Sequence, residues 1–167
     1  MKHWIAAAAF AIVSGPVLAG GSVVIPSEAP YANEQAVDAA VRTECALPKR
    51  TIDLLSSAMN AAGIEPRIVA QATPKSGDKV LLLNIDSVTQ RGNAMMGRIK
   101  VVTVSGKLYE NGKPVASFVA TRGSGGGAFG GWKGSCAIMG RCVEAIGRDV
   151  AHWLASPVDG AKLGDAR

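Results

Sequence analysis

The chain has 167 residues, a formal net charge of +5, 48% hydrophobic residues and 19% charged residues. That length and balance suit a single domain with its own core, and they exclude a disordered or low-complexity chain. The basic residues are scattered, with no run longer than Lys49-Arg50, so the charge describes a solvated surface rather than a nucleic-acid patch.

The start, "MKHWIAAAAFAIVSGPVLAGG", has Lys2, an apolar run from Trp4 to Val13, and small residues Val17 and Ala19 at −3 and −1 of a cleavage site. This is the pattern of a secretory leader over residues 1–19, too short to span a membrane. Gly21 stands where a lipoprotein leader carries its acylated cysteine. A soluble periplasmic or secreted domain is expected, with no transmembrane segment once the leader is removed.

Residues 20–35 are rich in Gly, Ser, Pro and Ala and read as an extended lead-in. The single domain is expected over 36–157. Val37, Ala39, Val41, Thr43 and Cys45 alternate onto one face, which suits a strand, although the alanines also suit a helix. "PKRTIDLLSSAMNAAG" predicts a helix. Pro48 lies in its first turn, Ile52, Leu55, Met59 and Ala62 form its stripe, and Gly63 is its stop. "EPRIVAQ" is a short strand candidate and "ATPKSGD" a turn.

"KVLLLNIDSVT" (79–89) is strand-like, and Asn111-Gly112 separates two further β-rich runs. Asn-Gly favours the two-residue hairpin turn. The implied register sets Leu108 against Val115, Gly106 against Ser117, Val104 against Val119 and Val102 against Thr121. That face is mainly apolar and small; Thr103, Ser105, Lys107 and Arg122 fall on the other. In the last element, Met139, Cys142, Ile146, Val150 and Trp153 recur on one helical face, with Arg141, Glu144 and Arg148 opposite. Pro157 ends it, and 158–167 reads as a loose tail. The sum is an α+β domain, a largely antiparallel sheet with helices packed on one face.

Between hairpin and helix lies "GSGGGAFGGWKGSC" (123–136), with seven glycines in fourteen residues. It is not a P-loop, because Trp132 separates Gly131 from Lys133 and Gly134 separates Lys133 from Ser135. Gly125, Gly127 and Gly130 fit Gly-x-Gly-x-x-Gly, but no strand is expected after the following helix, so the dinucleotide-binding βαβ unit is missing. No cofactor is implied. His152 is the sole histidine outside the leader, and no Cys-x-x-Cys pair supports a zinc site. Asp86 shares a strand face with Asn84 but has no second acid tied to it.

Three cysteines, Cys45, Cys136 and Cys142, allow one disulfide and leave one thiol over. Two helical cysteines six residues apart stand about 9 Å apart along the axis, too far to bond. That pair could bond only with Cys136 outside the helix; Cys142 lies on the apolar stripe and suits a buried small side chain, so Cys45–Cys136 is favoured, with Cys45–Cys142 second. The hairpin order brings the 90–97 loop, with Met95 and Met96, to the same end of the sheet as the glycine loop, with Phe129, Trp132 and Lys133. Apolar loop tips mark contact surfaces unless they fold back onto the core.

Thr121 to Pro157, "TRGSGGGAFGGWKGSCAIMGRCVEAIGRDVAHWLASP", resembles a C-terminal motif of uncharacterised exported proteins of Gram-negative bacteria. The element order is similar, more loosely, to envelope proteins of the curli-secretion and penicillin-binding-protein-activator type and to auxiliary lipoproteins of ABC transporters. The resemblance implies a non-enzymatic α+β module that binds envelope partners, and it carries no functional residues over. The leading expectation is an exported, non-catalytic binding or envelope-assembly module using Met95, Met96, Phe129, Trp132 and Lys133. Its partner would be an envelope protein or a membrane surface, not nucleic acid. The alternatives are a small cell-envelope hydrolase with a site near Asp86 or Cys142, and a weak binder of anionic lipid or polysaccharide.

Overall fold

The computed structural model describes residues 21–75, 77–93, 97–125 and 134–166. The strands are β1 (Val23–Pro26), β2 (Pro66–Val69), β3 (Lys79–Asn93), β4 (Gly97–Glu110), β5 (Lys113–Ser124) and β6 (Ala161–Gly164). The helices are α1 (Ala39–Glu44), α2 (Leu47–Ala61) and α3 (Ser135–Ala155), with a 3₁₀ turn at Glu34–Ala36. The domain is α+β. One six-stranded sheet has the order β2-β1-β3-β4-β5-β6. Long antiparallel ladders join β3 to β4 and β4 to β5, while β1–β2, β1–β3 and β5–β6 are parallel.

Helix α3 forms as its stripe dictates: Met139, Cys142, Ile146, Val150 and Trp153 are all buried, and Arg148 pairs with Glu144 at 2.7 Å on the outer face. Helix α2 buries Ile52, Leu55 and Met59. Ala62 is instead its exposed C-cap, directly before Gly63. The segment expected as a strand at 36–45 is helical. Asp38 caps α1 by accepting from the Ala40 amide at 2.8 Å, and a capped, alanine-rich turn outweighs a short alternation.

The two ends of the chain also differ from expectation. The 20–35 lead-in contains β1, a strand held between β2 and β3. Its continuation reaches β3 again at Tyr31, which bridges Ile85. The 158–167 tail is not loose, since β6 extends the sheet along β5. Trp153 Nε1 donates to the Val158 carbonyl at 3.0 Å, and the Asp165 amide donates to the Thr121 carbonyl at 2.7 Å.

The Asn111-Gly112 turn is present, with positive φ at both residues, and it pairs Glu110 with Lys113 and Tyr109 with Pro114. The register then shifts by one: Leu108 faces Ala116, Gly106 faces Phe118, Val104 faces Ala120 and Val102 faces Arg122. Pro114 has no amide to give the ladder, and a bulge absorbs the fault. Val115 and Val119, expected inside, are 46% and 41% exposed. Phe118 takes the core position and meets Trp153 edge-on, with ring centroids 4.9 Å apart. Gly106 makes room for it: a Cβ there would stand 2.5 Å from a Phe118 ring carbon.

Both α2 and α3 pack on the face that carries Val23, Ile25, Leu81, Leu83, Ile85, Val102, Val104, Leu108 and Phe118. The β1–β2 crossover moves toward one edge of the sheet and the β5–β6 crossover toward the other, between strands of common direction. With both helices on one face the two crossovers have opposite hands, so one departs from the usual right-handed rule. The opposite face of the sheet carries no helix among the described residues.

Candidate functional site

Two regions of the surface are built by the topology rather than left over by it. The first is the end of the sheet where β3 turns into β4 and β5 leads toward α3. Met95, Met96, Phe129, Trp132 and Lys133 lie outside the described residues. Their anchors do not. The β3–β4 ladder runs to the Asn93–Gly97 pair, and β5 ends with Ser124 paired to Lys100.

Lys100 is the common neighbour of both ends of the glycine-rich connection. On the far side of that connection, Cys136 is joined to Cys45 in a disulfide, with Cα atoms 5.0 Å apart and a sequence separation of 91. A small cleft of about 180 Å³ holds Lys100 together with Asp38, Val41, Glu44, Cys45 and Cys136. Arg50 donates from Nη1 to the Cys136 carbonyl at 3.2 Å, and Lys100 donates from Nζ to Gln90 Oε1. The connection between 125 and 134 therefore leaves and returns at one corner, held on one side by strand pairing and on the other by a covalent bond.

The second region is the uncovered sheet face. A depression of about 550 Å³ is lined by Leu82, Asn84, Ser105, Lys107, Tyr109 and Val119 among others. A second depression of about 550 Å³ lies farther along the same strands, at Ser87, Thr89, Ile99, Val101, Thr103 and Thr121. Ala166 borders both. Hydroxyls dominate the floor. Thr103 and Thr121 share a hydrogen bond at 3.1 Å, and Ser105 donates to Asp86 at 2.8 Å.

The residues singled out for nucleophilic or acid–base chemistry are placed as follows. Cys142 is 1% exposed, and its thiol donates to the Lys100 carbonyl at 3.5 Å. Burial pushes its pKa up, with Arg141 opposing and Asp165 adding, so the reactive thiolate is disfavoured. Asp86 meets Ser105 across the β3–β4 pair. His152 is exposed in the last turn of α3. These residues are not brought together. Among the described residues no cluster of three or more His, Cys, Asp or Glu side chains converges as a metal site, and no helix is long and apolar enough to cross a membrane.

One cluster escaped the sequence reading. Arg122, expected on the outer sheet face, turns to the helix face because of the bulge. Its Nε and Nη2 grip both Asp149 oxygens at 2.7 and 2.8 Å, and Nη1 reaches Asp165 at 3.5 Å. Its pKa is raised, first by the hydrogen bond to Asp149, with burial opposing. Asp165 also accepts from the Gly123 amide at 3.1 Å. Arg122 thus ties α3, β5 and the C-terminal strand into one unit.

No family model matches the chain, and no curated protein sequence matches it. Solved structures do. Protein XCC0632 from Xanthomonas campestris, of the family DUF330, is similar over 79% of this chain and 82% of its own, with 11% identity and a TM-score of 0.52. A PelC dodecamer from Paraburkholderia phytofirmans is similar over 81% and 93%, with 20% identity and a TM-score of 0.47. A minor lipoprotein from Acinetobacter baumannii covers 84% and 94%, with 10% identity and a TM-score of 0.45. At these identities the likeness to XCC0632 is one of fold, and function rests on the site itself.

Proposed function

We propose that the protein is an exported, non-catalytic module of the bacterial cell envelope that acts by binding. Its contact surface is the sheet end from which the segments bearing Met95, Met96, Phe129, Trp132 and Lys133 emerge. One observation carries this reading: both ends of the glycine-rich connection are fixed beside Lys100, by the Ser124 pairing and by the Cys45–Cys136 bond. A rigid scaffold that presents a closed loop with aromatic residues is a common way to build a contact surface. The disulfide suits an oxidising compartment outside the cytoplasm, as does the leader-like start. The buried, protonated Cys142 speaks against thiol chemistry.

The test is photo-cross-linking in cells from position 132, with position 67 as control, since Arg67 is exposed on β2. A discrete adduct from 132 alone, lost in Phe129→Ala, supports the reading. Purified Phe129→Ala/Trp132→Ala protein should keep the urea midpoint of the parent. If it unfolds, these rings belong to the core and the proposed surface does not exist.

A further inference from the structure

We propose that the uncovered sheet face is a second, independent binding site, a trough for a linear acidic oligosaccharide whose carboxylates are held by Lys107 and Lys162. The two depressions follow β4 from Lys107 to Ile99, a run of about 27 Å at strand spacing. One long side is bounded by the Gly160–Ala166 strap, which is fixed by Ser117, Thr121 and Arg122. An extended polymer fits such a shape.

The lining selects the chemistry. Asn84, Ser105, Ser117, Thr103 and Thr121 offer amide and hydroxyl groups that exchange hydrogen bonds with sugar hydroxyls. Leu82, Tyr109 and Val119 give the apolar patches against which a sugar ring lies. Two aromatic residues border the depressions, Tyr109 and Phe118, and Phe118 is buried in the core. Tyr109 alone is no ladder of rings, as single-stranded nucleic acid requires.

The charge of the face is uneven in a particular way. Its acids are engaged: Asp86 accepts from Ser105 at 2.8 Å, Asp159 from Ser117 at 2.6 Å, and Asp165 from the Gly123 amide at 3.1 Å. Lys107 and Lys162 have no ion-pair or hydrogen-bond partner among the described residues, whereas Lys49 and Lys79 do. Lys162 sits beside Val119 on β6 and Lys107 beside Ser117 on β4. One strand, β5, lies between them and they are offset by two residues along it, roughly 12 Å between Cα atoms and mostly across the trough, so they reach two points on a bound chain rather than one anion.

The experiment titrates the ¹⁵N-labelled exported protein with hexagalacturonate and, separately, with maltohexaose. Hexagalacturonate should shift the amides of Asn84, Ser105, Lys107, Ser117 and Lys162, and maltohexaose should bind far more weakly. Lys107→Gln/Lys162→Gln should weaken binding by about tenfold or more, while Lys75→Gln/Lys113→Gln, with the same change in net charge, should not. Equal loss in both double variants would mean attraction to overall charge and would overturn the site. So would absence of trough shifts at millimolar ligand, or ligand-free shifts of these amides with protein concentration, which would mean that a second copy covers the face. Because the lysine end of the trough lies seven residues along β4 from Lys100 and the loop end, failure of the Phe129 and Trp132 test leaves the lysine result untouched, and the converse holds.

Discussion

Removing the Cys45–Cys136 bond isolates what the covalent link contributes. With a separation of 91 residues, the chain-entropy relation gives about 4.6 kcal/mol at 25 °C. The Cys45→Ala/Cys136→Ala protein should therefore lose most of that stability in urea unfolding at neutral pH. For a domain of this size the same loss lowers Tm by roughly 10–18 °C. The m-value should rise, because the unfolded chain without the bond exposes more surface. Reducing the parent protein with a phosphine provides the same comparison without altering side-chain volume at Cys45, which is 5% exposed. If reduction changes the unfolding free energy by less than about 1 kcal/mol, well below that entropy figure, the reasoning fails. The joint between α1 and α2 would then be held to α3 by packing and by the Arg50–Cys136 hydrogen bond alone.

Further outcomes follow from the core and its charges. Gly106→Ala places a Cβ against the Phe118 ring and should cost about 1–3 kcal/mol, with a loss of near-UV circular dichroism from the Phe118–Trp153 pair. Arg122→Ala should cost about 1.5–3 kcal/mol and speed hydrogen exchange at Leu163 and Asp165; unchanged exchange would show that the strap holds without it. The folded pKa values of Cys142 and Tyr31 both lie above their ordinary values, with burial the first cause. In the unfolded chain these groups ionise near 9.0 and 10.0, while the folded protein keeps them protonated. The contribution of these two groups to stability is thus fully present below about pH 9 and is lost as pH rises above it. Cys142→Ala should flatten the lower part of the fall, and the native Cys142 thiol should resist iodoacetamide until urea is added.

The legible parts of the fold were those carried by local chemistry. The α3 stripe, the Asn111-Gly112 turn and the Cys45–Cys136 pairing needed only spacing and residue type. The register of β5 was readable to Pro114 and no further. A proline next to a tight turn announces a fault in the ladder, and that signal was present in the sequence. Missing it sent Val115, Val119 and Arg122 to the wrong faces. In α1 a five-position alternation favours a strand, while the Asp38 cap that sets the helix is a single residue outside that pattern. Strands β1 and β6 have four residues each and take their identity from β3 and β5, partners distant in sequence. The uncovered face was out of reach for a related reason. It exists because two crossovers share one side, and handedness is written in no single segment.

Strand direction gives the domain a polarity. All strands except β4 point the same way, so the chain enters the sheet beside Lys79 and leaves it nearer the opposite end. The fifteen residues of β3 set those ends about 48 Å apart. A fusion or tether placed before Val23, level with Lys79, therefore stands about 35 Å along the strands from the start of the glycine-rich connection opposite Gln90, while one placed after Ala166 stands nearer to it. An N-terminal tag leaves the loop end free but stands near the Tyr109 end of the trough, and a C-terminal tag crowds the trough rim at Ala166.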